Sequence, residues 1–218
     1  MKSSLKTLYL VRHAESVWNS ERRVQGRCLD VPLSPVGRRQ AGLLGKRLQS
    51  LSFTHVYCSP AVRALETARM ALGIDHPITV FDYLRELGLG VWEGRLISEI
   101  NEEHPGAIDR WYRDPTTVRI DGMEEMTQFR ARVLSVMGEI AGAAGDGNIV
   151  VVTHGGVICS YLTGILKMSL GDLWGFSLPN ASLTAVVLDF RPRLRSFGDT
   201  AHLDGGIPRC DEAPFNTI

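Results

Sequence analysis

The chain has no apolar run approaching the roughly 20 residues that a membrane-spanning helix needs. It has no excess of either charge: 24 Lys and Arg balance 24 Asp and Glu. That balance excludes a nucleic-acid or acidic-membrane binder driven by bulk electrostatics. It has no CxxC pair either. The cysteines Cys28, Cys58, Cys159 and Cys210 are widely scattered, which argues against a zinc site or a disulfide framework. Cys58 and Cys159 sit in apolar sequence and read as inert core thiols. Lys2 and Lys6 precede Leu8–Val11, but that apolar stretch is too short for a signal sequence, so the expected location is the cytoplasm. No repeat and no interdomain linker interrupts the 218 residues. The expectation is one domain over 1–204 followed by a loose tail, 205–218.

What is present is an alternation of short apolar runs and amphipathic stretches. Leu8–Val11 reads as a buried strand. Ser34-Pro35 then offers an N-cap and a first-turn proline, and Ala41, Leu44, Leu48 and Leu51 follow at helical spacing. Thr54–Cys58 is a second strand. Ser59-Pro60 repeats the cap-and-proline signal before Ala61, Ala64, Leu65, Ala68 and Leu72. Ile78–Phe81 is a third strand. Residues 87–122, rich in Gly, Pro, Trp and charge, read as an insertion of helices and loops over the site. A long helix buries Met126, Phe129, Val133, Met137, Ile140 and Ala144. A turn at Gly142–Gly147 leads to the strand Ile149–Val152, and Gly155-Gly156 opens a helix burying Ile158, Leu162 and Ile165. Leu183–Leu188 is a further strand and Leu194–Phe197 a weaker one. The pattern predicts an α/β fold: a three-layer αβα sandwich with a mainly parallel central sheet. Ligands of such sheets bind beyond the carboxyl ends of the strands. Arg12-His13, Ser59–Arg63 and Thr153-His154 all follow a strand end.

Those residues suit a phosphate monoester. The ester is largely a dianion near neutral pH and calls for cationic forks and backbone N–H groups. Arg12 and Arg63 supply forks, Gly155-Gly156 supplies unobstructed N–H groups at a helix start, and Asn19 supplies an amide. Cleavage without a metal needs a nucleophile and a proton donor. His13 fits the first role, kept neutral by the arginines. His154 can stabilise charge on the transferring phosphoryl oxygens. Glu86, after the third strand, can protonate the leaving alkoxide and later activate water. The arginines would repel a cation, which disfavours metal binding by His13 and His154.

These segments carry a resemblance. Arg12-His13-Ala14-Glu15-Ser16 with Trp18-Asn19, then Gln25-Gly26 and Asp30-x-Pro32-Leu33-Ser34, resembles the opening signature of the histidine phosphatase (phosphoglycerate mutase-like) superfamily. Ser59-Pro60-x-x-Arg63-Ala64-x-x-Thr67, Leu84-Arg85-Glu86, Trp92-Glu93-Gly94, Thr153-His154-Gly155-Gly156 and Pro179-Asn180-Ala181-Ser182 follow in the family's order. The resemblance implies His13 as the phosphorylated nucleophile and Glu86 as acid and base. It implies Arg12, Arg63 and His154 as catalytic phosphate binders, with Asn19, Gln25, Gly26 and Gly155 as further phosphate contacts. It implies no cofactor and no metal. Ala14 stands where many members have glycine. The family's Gly-Gly-Glu-Ser stretch appears as Gly122-Met123-Glu124-Glu125, with Glu124 the best match for its glutamate.

The expected activity is metal-independent hydrolysis of a small phosphorylated metabolite through phosphohistidine. A 2,3-bisphosphoglycerate-dependent phosphoglycerate mutase is the first alternative, and a catalytically inactive phospho-ligand-binding protein the second. The compact stretch Leu89–Gly94 resembles the phosphatase branch. The expected partner is the metabolite, with room for a homodimer through a sheet edge or helix face. Trp92 and Trp111 read as packing residues. Arg22, Arg23 and Arg27 read equally as a solvated run or as a rim that attracts anions. His55, His76, His104 and His202 carry no motif and read as surface or locally bonded residues.

Overall fold

The computed structural model describes residues 6–143 and 147–203. The tail expected at 205–218, Ala144 and Cys210 lie outside these described residues. In chain order the main elements are β1 (Lys6–Arg12), α1 (Val17–Ser20), α2 (Pro35–Leu48), β2 (His55–Cys58), α3 (Val62–Leu72) and β3 (Thr79–Val80). They continue with α4 (Ile97–Glu103), α5 (Ala107–Arg113), α6 (Met126–Ala143), β4 (Ile149–Thr153), α7 (Gly155–Ile165), β5 (Leu183–Leu188) and β6 (Pro192–Asp199).

The six strands form one sheet in the order β3-β2-β4-β1-β5-β6. The first four are mutually parallel, and β5 and β6 add an antiparallel hairpin. Side chains alternate across the central strands, as a period of two requires. Leu8, Leu10, Ile149 and Val151 face one core, shared with Phe129, Val133 and Met137 of α6 and Ile158 and Leu162 of α7. Val11, Val150 and Val152 face the other, shared with Leu44 and Leu48 of α2 and Ala64 and Ala68 of α3. The three-layer expectation therefore holds. Both sheet edges are blunted against pairing with other chains. β3 has only two residues, both exposed. β6 begins with Pro192 and carries exposed Arg193 and Arg195.

Most expected strand boundaries shift, the third and the last strand among them. The third strand shrinks from Ile78–Phe81 to Thr79–Val80, because only Tyr57 and Cys58 of β2 pair with it. The weaker strand at Leu194–Phe197 extends to Pro192–Asp199, because pairing with β5 overrides the poor strand propensity of its Pro, Arg and Gly residues.

Residues 87–122 contribute to the larger core. Leu87, Leu89, Trp92, Ile100, Ile108 and Trp111 are buried in it. Trp111 packs between Trp92 and Trp174, with ring centroids 6.1 and 6.0 Å away, so both indoles that were expected to pack do so. The insertion is closed at its neck by an antiparallel bridge between Leu89 and Met123 and by Glu124 N–H donating to the Gly88 carbonyl at 3.0 Å. Its near end reaches the site by pairing with the loop after α1. Val24 N–H donates to the Arg95 carbonyl and Gly94 N–H to the Val24 carbonyl, both at 2.9 Å.

Candidate active site

The register of β1 against β4 assembles the centre. Arg12 lies opposite Thr153, so the next residue on each strand is a histidine. His13 N–H donates to the Thr153 carbonyl at 2.8 Å. The two rings meet edge to face, with centroids 5.2 Å apart at 66°. His13 Nδ1 lies 2.7 Å from the Ala14 carbonyl oxygen. A carbonyl can only accept, so Nδ1 carries the proton and Nε2 keeps the lone pair of a nucleophile. Burial, then Arg63 and Arg12, holds the His13 pKa well below the usual imidazole value, against the opposing Ala14 bond. The ring is therefore neutral at physiological pH. His154 is held neutral in the same direction by burial, Arg63, His13, Arg12 and Arg132, in that order.

Ser59 was expected to cap α3. The helix instead starts at Val62 behind Ala61, with no side-chain cap bond. The Ser59 hydroxyl bonds His154 Nε2 at 2.7 Å. His154 Nδ1 is buried with no hydrogen-bond partner among the described residues, and so is Arg63 Nε. Buried polar atoms of this kind are rare away from functional sites. A bound oxyanion would satisfy Arg63 Nε, and it would accept from His154 Nδ1 in the tautomer whose Nε2 accepts from the Ser59 hydroxyl.

Arg63 is fixed by donating from Nη1 to the Cys28 carbonyl at 2.5 Å and from Nη2 to the Gly26 carbonyl at 3.1 Å. Arg12 donates from Nη1 to the Leu178 carbonyl. Burial lowers both guanidinium pKa values to about 10, so both remain cationic at neutral pH. Two buried cations beside two neutral imidazoles make a pocket for a dianion. Among the described residues no three His, Cys, Asp or Glu side chains gather as metal ligands would.

Glu86 closes the set. It is 6% exposed. Its carboxylate accepts from Leu87 N–H at 2.8 Å and from Gly156 N–H at 2.9 Å. Burial pushes its pKa up, opposed by those two bonds and by Arg63 and Arg12. The Gly156 N–H, expected to be open to phosphate, is thus given to Glu86, because the Thr153 hydroxyl at the end of β4 bonds the Leu84 carbonyl and holds the helix start against the 84–86 segment. The glycine is needed for a further reason. A Cβ there would lie 2.4 Å from Glu86 Oε1.

The remaining expected contacts divide. Asn19 Oδ1 accepts from the Ser16 N–H and hydroxyl, both at 3.1 Å, and from Asn180 Nδ2 at 3.2 Å. Gln25 Oε1 lies closer to the same hydroxyl, at 2.7 Å, so the two amide oxygens share its single proton. Both amide oxygens are used, which leaves their NH2 groups as donors. Gly26 contributes its carbonyl to Arg63, and a side chain there would strike Glu93 Oε1 at 2.2 Å. Gly155 is the first residue of α7, where backbone N–H groups have no helical partner. Asn180 Nδ2 and Ala181 N–H both donate to the His13 carbonyl at 3.1 Å. The Pro179–Ser182 motif therefore clamps the backbone of His13, a role its sequence alone did not disclose. Arg23 is drawn to the Gly94 carbonyl and Arg27 to Glu124, so the basic run is tied into the loop–insertion junction. His55 bonds the adjacent Thr54, His104 lies beside Glu103, His76 meets the Phe53 ring edge to face, and His202 bonds the Ala181 carbonyl. The Cys58 and Cys159 thiols are pushed up to about 12 by burial, as inert core groups would be.

Residues 8–200 match the histidine phosphatase superfamily, branch 1. The chain belongs to this superfamily. Phosphoserine phosphatase 1 of Hydrogenobacter thermophilus is 32% identical over 185 residues, covering 84% of this chain and 87% of that protein. A Salmonella choleraesuis protein named "Probable phosphoglycerate mutase GpmB" is 34% identical over 214 residues, covering 94% and 97%. Among solved structures, Bacillus stearothermophilus YhfR superposes with a TM-score of 0.85 at 34% identity, covering 91% of this chain and all of that one. Within this histidine phosphatase, the segments noted in the sequence lie inside the matched range.

Proposed function

We propose that this histidine phosphatase hydrolyses phosphomonoesters of small metabolites through a phosphohistidine at His13, without a metal ion. The chain is a phosphatase, and the observation that carries the mechanism is the neutral His13 ring with Nδ1 bonded to Ala14, set beside His154 and the buried Arg12 and Arg63. In the first half, a bond forms from His13 Nε2 to phosphorus as the ester P–O bond breaks, and protonated Glu86 gives its proton to the leaving alkoxide. In the second half, ionised Glu86 takes a proton from water, whose oxygen attacks phosphorus as the P–N bond breaks. Imidazole and carboxylic acid are then restored. Arg12, Arg63 and His154 hold the phosphoryl oxygens in both halves, with Asn19, Gln25 and Gly155 as supporting donors. The likeness to a phosphoserine phosphatase favours small phosphorylated acids as substrates. A cytoplasmic location belongs to the same reading, since a bilayer retains such charged metabolites.

The test is phosphate release, with EDTA present, from phosphoserine, 3-phosphoglycerate and α-ribazole phosphate, together with a mutase assay on the same preparation. Phosphate release without mutase activity is the expected result. Mutase activity with little release would favour the alternative that the 34% identical relative's name carries. Silence in both assays would favour the inactive binding protein, and strong inhibition by EDTA would overturn the metal-free mechanism.

A further inference from the structure

The segment that carries Glu86 has no strand ladder of its own. A single 3-10 turn over Asp82–Leu84 leads into extended backbone. Its carbonyls are held by side chains from elsewhere. Arg132 of α6 donates from Nη1 to the Tyr83 carbonyl at 2.7 Å and the Arg85 carbonyl at 2.9 Å, and from Nη2 to the Glu86 carbonyl at 3.3 Å. The Leu84 carbonyl between them accepts from the Thr153 hydroxyl at 2.8 Å. Arg132 is itself gripped by Glu124 through both carboxylate oxygens, Nε to Oε1 at 3.0 Å and Nη2 to Oε2 at 2.9 Å. Its guanidinium lies over the Phe129 ring, 5.0 Å from the centroid. Both side chains are about nine-tenths buried. Arg132 donates to none of the groups assigned above to phosphate; apart from the small electrostatic effect of its charge on His154, which lysine would keep, it acts on the reaction through the backbone it holds.

We propose that Arg132, locked by Glu124, is a positioning residue that sets the reach of the Glu86 carboxyl group. This deepens the reading of Glu86 as the general acid and rests on it. A planar fork with five donors can span three carbonyls and a bidentate carboxylate at once, and a lysine ammonium cannot. Misplacing a catalytic group by about 1 Å costs on the order of 10²-fold. The loss should fall on esters whose leaving group needs a proton. For the value of kcat/KM only the steps up to phosphoryl transfer count, so breakdown of phosphohistidine does not obscure it.

The experiment measures kcat/KM for p-nitrophenyl phosphate and for phosphoserine or 3-phosphoglycerate, whichever is turned over faster. The variants are Glu86→Gln, Arg132→Lys, Arg132→Met, Glu124→Gln and the double Glu86→Gln/Arg132→Met. The expected result is an alkyl-ester loss about 10²-fold larger than the p-nitrophenyl phosphate loss in Arg132→Met. Arg132→Lys should repeat this pattern, Glu124→Gln should repeat it more weakly, and Arg132→Met should add no further selectivity once Glu86 is Gln. Equal losses on both esters in the Arg132 variants, beside a selective loss in Glu86→Gln, would overturn the positioning role and leave the acid in place. Equal losses in Glu86→Gln itself would remove both. Should Arg132→Met not fold, Arg132→Lys and Glu124→Gln carry the same comparison.

Discussion

Replacing Gly156 by alanine should separate stability from activity. Gly156 is the second residue of α7, where alanine gains at most the roughly 1 kcal/mol of propensity over glycine that applies in a helix interior. The new methyl group would sit 2.4 Å from Glu86 Oε1 and 3.1 Å from its Cδ. Ordinary carbon–oxygen contact begins near 3.4 Å, so the carboxyl group must withdraw by about 1 Å. It is the movable end of a side chain, and the protein yields there without shifting the backbone. The 2.9 Å bond from Gly156 N–H is strained or lost in the process. A 1 Å error at an acid costs on the order of 10²-fold. The expected outcome is a melting temperature unchanged or slightly raised. With it, kcat/KM should fall about 10²-fold for an alkyl phosphate and far less for p-nitrophenyl phosphate, whose leaving group needs little protonation. An alkyl-ester rate equal to wild type, or a large drop in stability with both rates scaled alike, would refute the reasoning.

Three further outcomes follow from the same geometry. His13→Ala should abolish turnover and acid-labile labelling by a radioactive phosphate ester while leaving the circular dichroism spectrum intact. Ser59→Ala strands a buried ring nitrogen of His154, which costs about 1–3 kcal/mol; urea unfolding should show that loss, with a fall in kcat/KM beside it. Because His13 and His154 are held neutral in the fold, the unfolded chain binds more protons below its own histidine pKa of about 6.5. Their contribution to stability is therefore present above that pH and is lost as pH falls, by up to about 1.4 kcal/mol per histidine per pH unit. Urea unfolding from pH 7.5 to 5.5 should show this slope, and His154→Gln should reduce it.

The sequence revealed the strand ends and the residues that gather beyond them, because a short apolar run ending in Arg-His or Thr-His is itself a local pattern. It could not reveal the β1–β4 register, which depends on pairing between residues more than 140 positions apart. Ser59 was misread for a physical reason: a serine before a proline looks the same whether its hydroxyl caps a helix or orients a histidine. Gly156 was read as an anion donor because glycine at a helix start suits a phosphate and a carboxylate equally. Arg132 drew no notice, since an arginine between Phe129 and Val133 fits the polar spacing of an amphipathic helix. Its burial against the 83–86 carbonyls appears only once α6 is docked.

The bridge between Leu89 and Met123 sets what this scaffold can tolerate. It makes the intervening residues a cassette on a fixed stem, with Glu86 just before the stem and Glu124 and Arg132 just after it. Changes of length within such a closed loop cost little, since closure entropy grows only logarithmically. Val91, Thr117, Arg119 and Asp121 are exposed on that cassette, whereas Trp92, Ile108 and Trp111 root it in the core. Exchanging the exposed positions and keeping the rooted ones would alter the surface of the cassette without transmitting strain to the acid. The surface of the insertion and the chemistry of the site then diverge independently along one chain.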